Sequence, residues 1–182
     1  MKKYTHTLLT FYKFVDIADP KTEVAKHFQF CNDIGMKWRI YIGEEGISAT
    51  ATCTPGQLQA YKLFLDSNPY FRDIEDFDVK ATKVTEHAFP RMVVKYRKEI
   101  VALGKVYNAQ EVHNGGKRLA PEELKDIIDK DSKDRVILDM RNSYEYKLGH
   151  FKNAIPAGTV NFRELENVIE TYKEKFEGKK IL

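Results

Sequence analysis

One stretch near the end of the sequence concentrates residue types that could do chemistry: residues 139–154 read DMRNSYEYKLGHFKNA. Asp139 closes a continuous apolar run, RVILD, which is typical of a central parallel strand buried on both faces. Open α/β sheets carry functional groups at the carboxyl ends of their strands, so Asp139 lies where a site would be. Arg141 could hold this carboxylate or meet an anion, and Glu145 and His150 could hydrogen-bond backbone groups of the loop. We expect all four to support an active-site loop, with Arg141 nearest to substrate and none acting as the nucleophile.

The candidate nucleophiles are two cysteines, Cys31 and Cys53. Cys31 falls on the apolar face of a predicted helix, and Cys53 ends a predicted strand with no histidine motif beside it, so we interpret both as structural residues. Their spacing fits neither a CxxC motif nor a disulfide scaffold, which favours a reducing, cytoplasmic compartment. The histidines show no ligand spacing and predict no metal site. No run approaches the roughly 20 apolar residues that cross a bilayer, so we expect no membrane association.

Positive charge is concentrated between Val79 and Lys105, where seven basic residues face two acidic ones although the whole chain has a net charge of only +3. This cluster could line a groove for RNA phosphates, and an interleaved tyrosine could stack on an unpaired base. The alternative is a solvated strand edge, where lysines oppose aggregation. The candidate RNA-binding residues are Arg91, Lys95, Tyr96, Arg97 and Lys98.

Two adjacent carboxylates, Glu44 and Glu45, could form a pair for acid–base chemistry or metal binding. No histidine accompanies them, and glycines flank them on both sides. We therefore favour a polar turn.

The elements that would position these residues begin with an alternation of strands and helices. Tyr4–Phe14 predicts a strand, and Asp19 followed by a proline predicts the start of a helix whose core face carries Val24, Phe28, Cys31 and Ile34. Further along, the predicted elements are strands at Lys37–Ile42 and Ile47–Thr52, a helix opened by Thr54-Pro55 with a stripe of Leu58, Tyr61, Phe64 and Leu65, and a strand around Phe77–Val84.

The order β-α-β-β-α-β predicts a ferredoxin-like (acylphosphatase-like) α+β domain over residues 1–87. Residues 88–118 predict a basic connecting segment with one strand-like piece at Met92–Tyr96. Residues 119–182 predict an α/β domain with a helix from Pro121, the RVILD strand, a helix at Leu165–Phe176 and a further strand beginning at Lys179. One finished strand and one begun cannot close a core, so we expect this second domain to be incomplete.

The segment 139–154 resembles the first signature of rhodanese domains, in which Asp at a strand end is followed by Arg, Glu-Tyr or Glu-Phe, and Gly-His. Three other segments narrow the resemblance: EEGIS at 44–48, VKYRKEIV at 94–101 and GKRLAPEEL at 116–124. Together they are similar to the bacterial rhodanese-domain family that forms 5-hydroxyuridine at the wobble position of tRNA. The sequence departs from the usual wording at Ser48 and Ala49, neither of which we assign to chemistry.

This resemblance implies an incomplete rhodanese-like domain and an oxygen-dependent tRNA uridine hydroxylase that acts on the anticodon loop. Molecular oxygen would be a co-substrate, and no other cofactor is evident. The family's reactive cysteine follows the next strand, so we expect it beyond Leu182 and expect this polypeptide alone to be inactive. A sulfurtransferase acting through a cysteine persulfide is the alternative, and a non-catalytic RNA- or protein-binding module is a second. The sequence leaves the oligomeric state open.

Overall fold

A computed structural model describes residues 4–72, 81–101, 104–130 and 133–182 of the chain. These residues divide into two units, one running to Val101 and including Lys105–Asn114, the other comprising Gly104 and Gly115–Leu182. Most of the predicted connecting segment 88–118 therefore belongs to the first unit, because its strand-like piece joins the sheet of that unit. No helix within the described ranges is long and apolar enough to cross a membrane.

The first unit is a five-stranded sheet in the order β4-β1-β3-β2-β5. Its first four strands pair antiparallel, as the ferredoxin-like motif requires, and β5 then adds a parallel edge strand beside β2. Residues 77–80 of the strand predicted at Phe77–Val84 lie outside the described residues. The elements are β1 His6–Phe14, α1 Pro20–Asp33, β2 Lys37–Gly43, β3 Gly46–Cys53, α2 Pro55–Asp66, β4 Ala81–Val84, β5 Val93–Tyr96 and α3 Ala109–His113.

The core of this unit lies between the sheet and the helices α1 and α2. Trp38, Ile40 and Ile42 are fully buried, as their alternation along β2 predicts. In α2, Tyr61 and Leu65 are buried and the rest of the predicted stripe packs against them. Both helices begin at the predicted residues, because the side chains of their cap residues accept backbone N–H groups of the first turn.

The buried face of α1 differs from the prediction. Phe28 is 48% exposed, whereas Glu23 and His27 are buried beside Cys31. Glu23 accepts a hydrogen bond from the side-chain amide of Asn68 at 2.6 Å, and His27 Nδ1 lies 2.9 Å from the Glu23 carbonyl oxygen. Polar partners let these side chains replace the phenylalanine in the core.

The chain crosses the sheet between β4 and β5, which are its two edges. This crossing segment, residues 85–92, passes over the face opposite the helices: the amide of Ala88 donates to Thr52 Oγ1 at 3.1 Å, and the Phe89 ring lies under the Arg39 guanidinium. Thr52 is consequently fully buried although its side chain points away from the core. The segment covers one end of that face.

The second unit is built around the RVILD strand. Its elements are α4 Pro121–Lys130, β6 Arg135–Val136, β7 Leu138–Asp139, α5 Ser143–Leu148, β8 Ile155–Pro156, a 3-10 turn at Phe162–Glu164, α6 Leu165–Thr171, α7 Lys173–Phe176 and β9 Lys180–Ile181. β6 pairs parallel with β9, and β7 pairs parallel with β8, so the strand has a parallel neighbour on each side. The parallel pairing predicted for RVILD and the strand predicted near Lys179 are confirmed, but the RVILD strand is interrupted at Ile137, and residues 135–137 are half-buried, not buried on both faces as predicted.

The helix predicted over Leu165–Phe176 is interrupted at Tyr172, which separates α6 from α7. There the carbonyl of Tyr172 accepts the amide of Lys175 at 2.8 Å, a 3-10-type bond, in addition to the helical bond from the amide of Phe176 at 3.2 Å. Val168 and Phe176 from either side of the interruption are buried with Leu138. The break therefore keeps both short helices on the core of the second unit.

Candidate functional site

The candidate active-site loop starts where the central strand ends. Asp139 is the last residue of β7 and is 8% exposed. Its carboxylate accepts hydrogen bonds from Arg141 Nε at 2.9 Å and from Arg141 Nη2 at 2.6 Å, which is a bidentate ion pair. The backbone amide of Arg141 donates to the same carboxylate at 3.1 Å. These three bonds turn the chain sharply out of the strand.

Arg141 also reaches the far end of the loop. Its Nη2 donates to the carbonyl oxygen of Gly149 at 2.7 Å, so one guanidinium joins the strand end to the residue that ends α5. The α5 helix between them is capped by Glu145, whose carboxylate accepts the amide of Asn142 at 3.1 Å. The side chain of Arg141 remains 48% exposed. It therefore fixes the loop and still presents positive charge to solvent.

His150 is held against the loop by Tyr146. The two rings stack with centroids 3.8 Å apart and planes 9° apart, and His150 Nδ1 lies 2.9 Å from the Tyr146 carbonyl oxygen. The Tyr146 hydroxyl donates to the carbonyl of Ala154 at 2.9 Å, which ties this stack to the start of β8. Sequence reasoning missed Tyr146, although its position four residues before His150 was the available signal.

The electrostatics of the loop follow from the ion pair. Hydrogen bonding from the Arg141 side chain lowers the pKa of Asp139, and the same contact raises the pKa of Arg141. Both groups are therefore ionised at neutral pH. Because the Asp139 carboxylate is bonded to Arg141, it is better suited to position the loop than to accept a proton. The structure places all four residues predicted to support the loop, Asp139, Arg141, Glu145 and His150, within it.

The two cysteines lie in the core of the first unit, with side chains fully buried. Burial raises the pKa of Cys31 to about 12 and that of Cys53 to about 11. A thiol must ionise to act as a nucleophile, so neither is suited to that role. Within the described residues, no three His, Cys, Asp or Glu side chains come together in an arrangement that could hold a metal ion.

The five candidate RNA-binding residues are all exposed, but they do not share one surface. Lys95 pairs in register with Tyr41 and faces away from the helices, and Arg97 stacks on the Tyr41 ring with its guanidinium 5.2 Å from the centroid. Tyr96 pairs with Ile42 and lies on the opposite side, where its hydroxyl donates to the Glu44 carboxylate at 3.0 Å.

Glu44 and Glu45 form the predicted turn, but Glu45 is buried within it. Its side chain is 2% exposed, and its carboxylate accepts the backbone amides of Ile100 at 2.6 Å and Tyr107 at 3.0 Å. The following residue, Gly46, has a φ of 139°, and a Cβ there would lie 2.0 Å from the Lys13 carbonyl oxygen. A glycine is required at that position so that the turn can bring the carboxylate inward.

Comparison with known protein families agrees with both halves of this architecture. The family model described as the UPF0176 acylphosphatase like domain matches residues 6–100. The chain belongs to this family. A second family model, the rhodanese-like domain, matches residues 120–182 and so includes the Asp139–His150 loop.

Curated relatives extend the similarity over almost the whole chain. A protein named tRNA uridine(34) hydroxylase from Bacillus velezensis is 37% identical over 97% of this chain and 53% of its own length. Proteins of the same name from Streptococcus suis and Bacillus licheniformis are 39% and 38% identical over 96% and 99% of this chain, in each case over 54% of their own length. The chain thus spans about half the length of the curated relatives that it matches.

Proposed function

We propose that the protein to which this chain belongs hydroxylates the wobble uridine of tRNA to 5-hydroxyuridine. The observation that carries the proposal is identity of 37–39% with proteins named tRNA uridine(34) hydroxylase, spread over 96–99% of the chain. Both family matches occur within that span. In the proposal the substrate is the anticodon loop of tRNA, molecular oxygen is the co-substrate and the reaction takes place in the cytoplasm.

In this proposal the two units have different roles. The first unit binds the RNA, and its exposed cations Arg91, Lys95, Arg97 and Lys98 contact phosphates, which attract basic side chains without regard to sequence. In the second unit, the Asp139–Arg141 ion pair holds the loop in place. The exposed part of Arg141 offers an anion contact beside it.

The experiment is a comparison of tRNA nucleosides by mass spectrometry from cells with and without the gene. We expect the wobble uridine to lose one oxygen atom when the gene is deleted and to regain it on complementation. Growth under isotopically heavy oxygen gas should place the heavy isotope in the modified uridine. A label derived from water instead would contradict the role of molecular oxygen.

Complementation also tests the loop. Arg141→Gln removes the guanidinium that joins Asp139 to Gly149 and should reduce the modified fraction. Asp129→Asn, which alters an exposed ion pair with Lys125 in the same unit, is the matched control and should leave it unchanged. Equal modification by both variants would exclude the proposed role of the loop.

A sulfurtransferase is the second candidate, and the match of residues 120–182 to the rhodanese-like domain favours it. The same nucleoside comparison separates the two activities. Loss of a sulfur atom from the uridine on deletion would support thiolation and contradict hydroxylation. An unchanged nucleoside profile would contradict both and leave the non-catalytic binding module.

A further inference from the structure

The sheet of the first unit has an open face opposite α1 and α2. Alternation along the strands assigns residues to it: Leu9 and Phe11 of β1 point into the core, so Thr10 and Tyr12 point outward, and the registers extend this assignment to the neighbouring strands. The crossing segment 85–92 covers one end. We define the open face by its uncovered residues, Thr10, Tyr12, Arg39, Tyr41, Ser48, Thr50, Lys95 and Arg97.

One row of the open face combines aromatic rings with a cation. The registers place Tyr12 opposite Ser48, Ser48 opposite Tyr41, and Tyr41 beside Lys95 on four successive strands. Strands lie about 4.8 Å apart, so the two tyrosines are rooted about 10 Å from each other with only the small Ser48 between them. Tyr12 is 43% exposed. The row therefore carries the exposed Tyr12 ring and the half-buried Tyr41 ring, which has the Arg97 guanidinium over it, on either side of Ser48.

The charge of this face is of one sign. Arg39 and Lys95 are exposed on it, and the guanidinium of Arg97 lies over the Tyr41 ring. Within the described part of the sheet, no Asp or Glu occupies a strand position that points away from the helices. Tyr41 is thus bordered by cations on the side of β5, and hydroxyls of Ser48, Thr10 and Thr50 occupy the centre.

Unpaired RNA is the partner whose chemistry fits both features. Its bases stack on aromatic side chains, while its phosphates are drawn to nearby lysine and arginine. An acidic protein surface would satisfy the cations but not the spaced rings. A double helix would present phosphates only, because its bases are already stacked.

We propose that the open face binds unpaired nucleotides of the RNA substrate, with Tyr12 and Tyr41 stacking on bases and Arg39, Lys95 and Arg97 contacting phosphates. This inference rests on the proposed function for the identity of the RNA. It adds Tyr12, Arg39 and Tyr41 to the RNA-binding surface. Tyr96 has no part in it, since its side chain lies on the other side of the sheet.

The test is fluorescence anisotropy with the full 182-residue chain and a labelled RNA stem–loop that has an anticodon-sized loop containing uridines. The variant Tyr12→Leu/Tyr41→Leu should weaken binding by about 30-fold or more, since it removes two base–aromatic stacks and each contributes about 1–3 kcal/mol. Tyr12→Phe/Tyr41→Phe keeps both rings and should bind like the wild type. The matched control is Phe28→Leu, which removes an exposed aromatic from α1 on the helix side.

The cations are tested by salt dependence. Arg39→Gln should lower the slope of log K against log salt by about 0.7, the value for one phosphate contact on a single strand. Lys21→Gln, an exposed lysine of α1, should leave the slope unchanged. A fully paired RNA duplex of the same length should bind more weakly than the stem–loop and should not respond to removal of the tyrosine rings.

A photo-crosslinking measurement on the wild-type chain keeps the proposal falsifiable if a variant fails to fold. With 4-thiouridine in the loop, the adducts should map to the peptides containing Tyr12 or Tyr41. Adducts only on the helix side, or equal binding of stem–loop and duplex, would overturn the proposal. Tight loop binding without any change in the cellular nucleosides would instead overturn the proposed function and leave the open face intact as an RNA-binding surface.

Discussion

Replacing Glu45 should destabilise the first unit far more than replacing its neighbour Glu44. Glu45 is buried and its carboxylate accepts the amides of Ile100 and Tyr107, whereas Glu44 is exposed and its carboxylate accepts the Tyr96 hydroxyl. A hydrogen bond to a charged group contributes about 1.5–3 kcal/mol. Glu45→Ala removes two of them and should lower the free energy of unfolding by about 3–6 kcal/mol.

Glu45→Gln is the more informative change, because it preserves the size of the side chain. Its amide oxygen can accept one of the two N–H groups, but its NH2 group then faces the other donor. We expect a loss of about 2–4 kcal/mol, against less than about 1 kcal/mol for Glu44→Gln.

Urea denaturation followed by tryptophan fluorescence measures this difference directly. Trp38 is the single tryptophan of the chain and is fully buried in the first unit, so its emission reports the unfolding of that unit. With an m-value of about 2 kcal/mol/M, Glu45→Gln should lower the urea midpoint by about 1–2 M without changing the slope. Hydrogen exchange at Ile100 and Tyr107 should accelerate in parallel. Equal midpoints for the Glu44 and Glu45 variants would refute the role assigned to the buried carboxylate.

Three further outcomes are expected. Asp139→Asn should destabilise the loop of the second unit by about 1–3 kcal/mol and speed its hydrogen exchange, because the ion pair with Arg141 is lost. Asp129→Asn should change the stability of the loop by less than about 0.5 kcal/mol, and similar exchange rates in both variants would contradict the ion-pair argument. Burial lowers the pKa of His27 to about 4 from the usual 6.5, so the unfolded state binds a proton at a higher pH than the folded state does. The free energy of unfolding, measured by urea titration, should therefore fall as the pH drops through 6.5 towards 4, by about 2 kcal/mol between pH 7 and pH 5. A His27→Gln variant with the same pH dependence would exclude this histidine as the cause. Gly46→Ala should lower the free energy of unfolding by more than about 2 kcal/mol, because the new Cβ would collide with backbone atoms. Gly56→Ala, which has open space in the first turn of α2, should be neutral or stabilise by up to about 1 kcal/mol. Thermal melts that rank the two variants the other way would contradict this.

The short-range sequence patterns correctly predicted the buried face of one strand and the first residues of two helices. The alternation of Trp38, Ile40 and Ile42 gave the buried face of β2, and the cap residues Asp19 and Thr54 gave the starts of both long helices. These features depend on neighbours within a few residues. Their physical causes are therefore visible in a short window of sequence.

The features that sequence reasoning missed depend on distant partners. Glu23 enters the core because Asn68 supplies a donor, and Glu45 is buried because Ile100 and Tyr107 supply two. Apolar periodicity assigns a carboxylate to the surface unless such partners are known. Similarly, residues 93–96 read as part of a connector because their pairing with β2 spans more than fifty residues. In the candidate loop, the residue types at Asp139 and Arg141 indicated a candidate site, but the hydrogen bond from Arg141 to the carbonyl of Gly149 is visible only in the structure.

The crossing segment 85–92 has a consequence for how the sheet resists self-association. Edge strands expose unpaired backbone groups that can pair with strands of other chains. In this sheet the crossing segment joins the two edge strands, β4 and β5. The hydrogen bond from the amide of Ala88 to Thr52 attaches the middle of the crossing segment to the central strand β3. Detachment of β4 or β5 from the sheet therefore strains a segment that is also joined to the other edge strand, so the two edge strands should open together. Aggregation-prone intermediates with one exposed edge should then be rarer than in a sheet whose edge strands open independently.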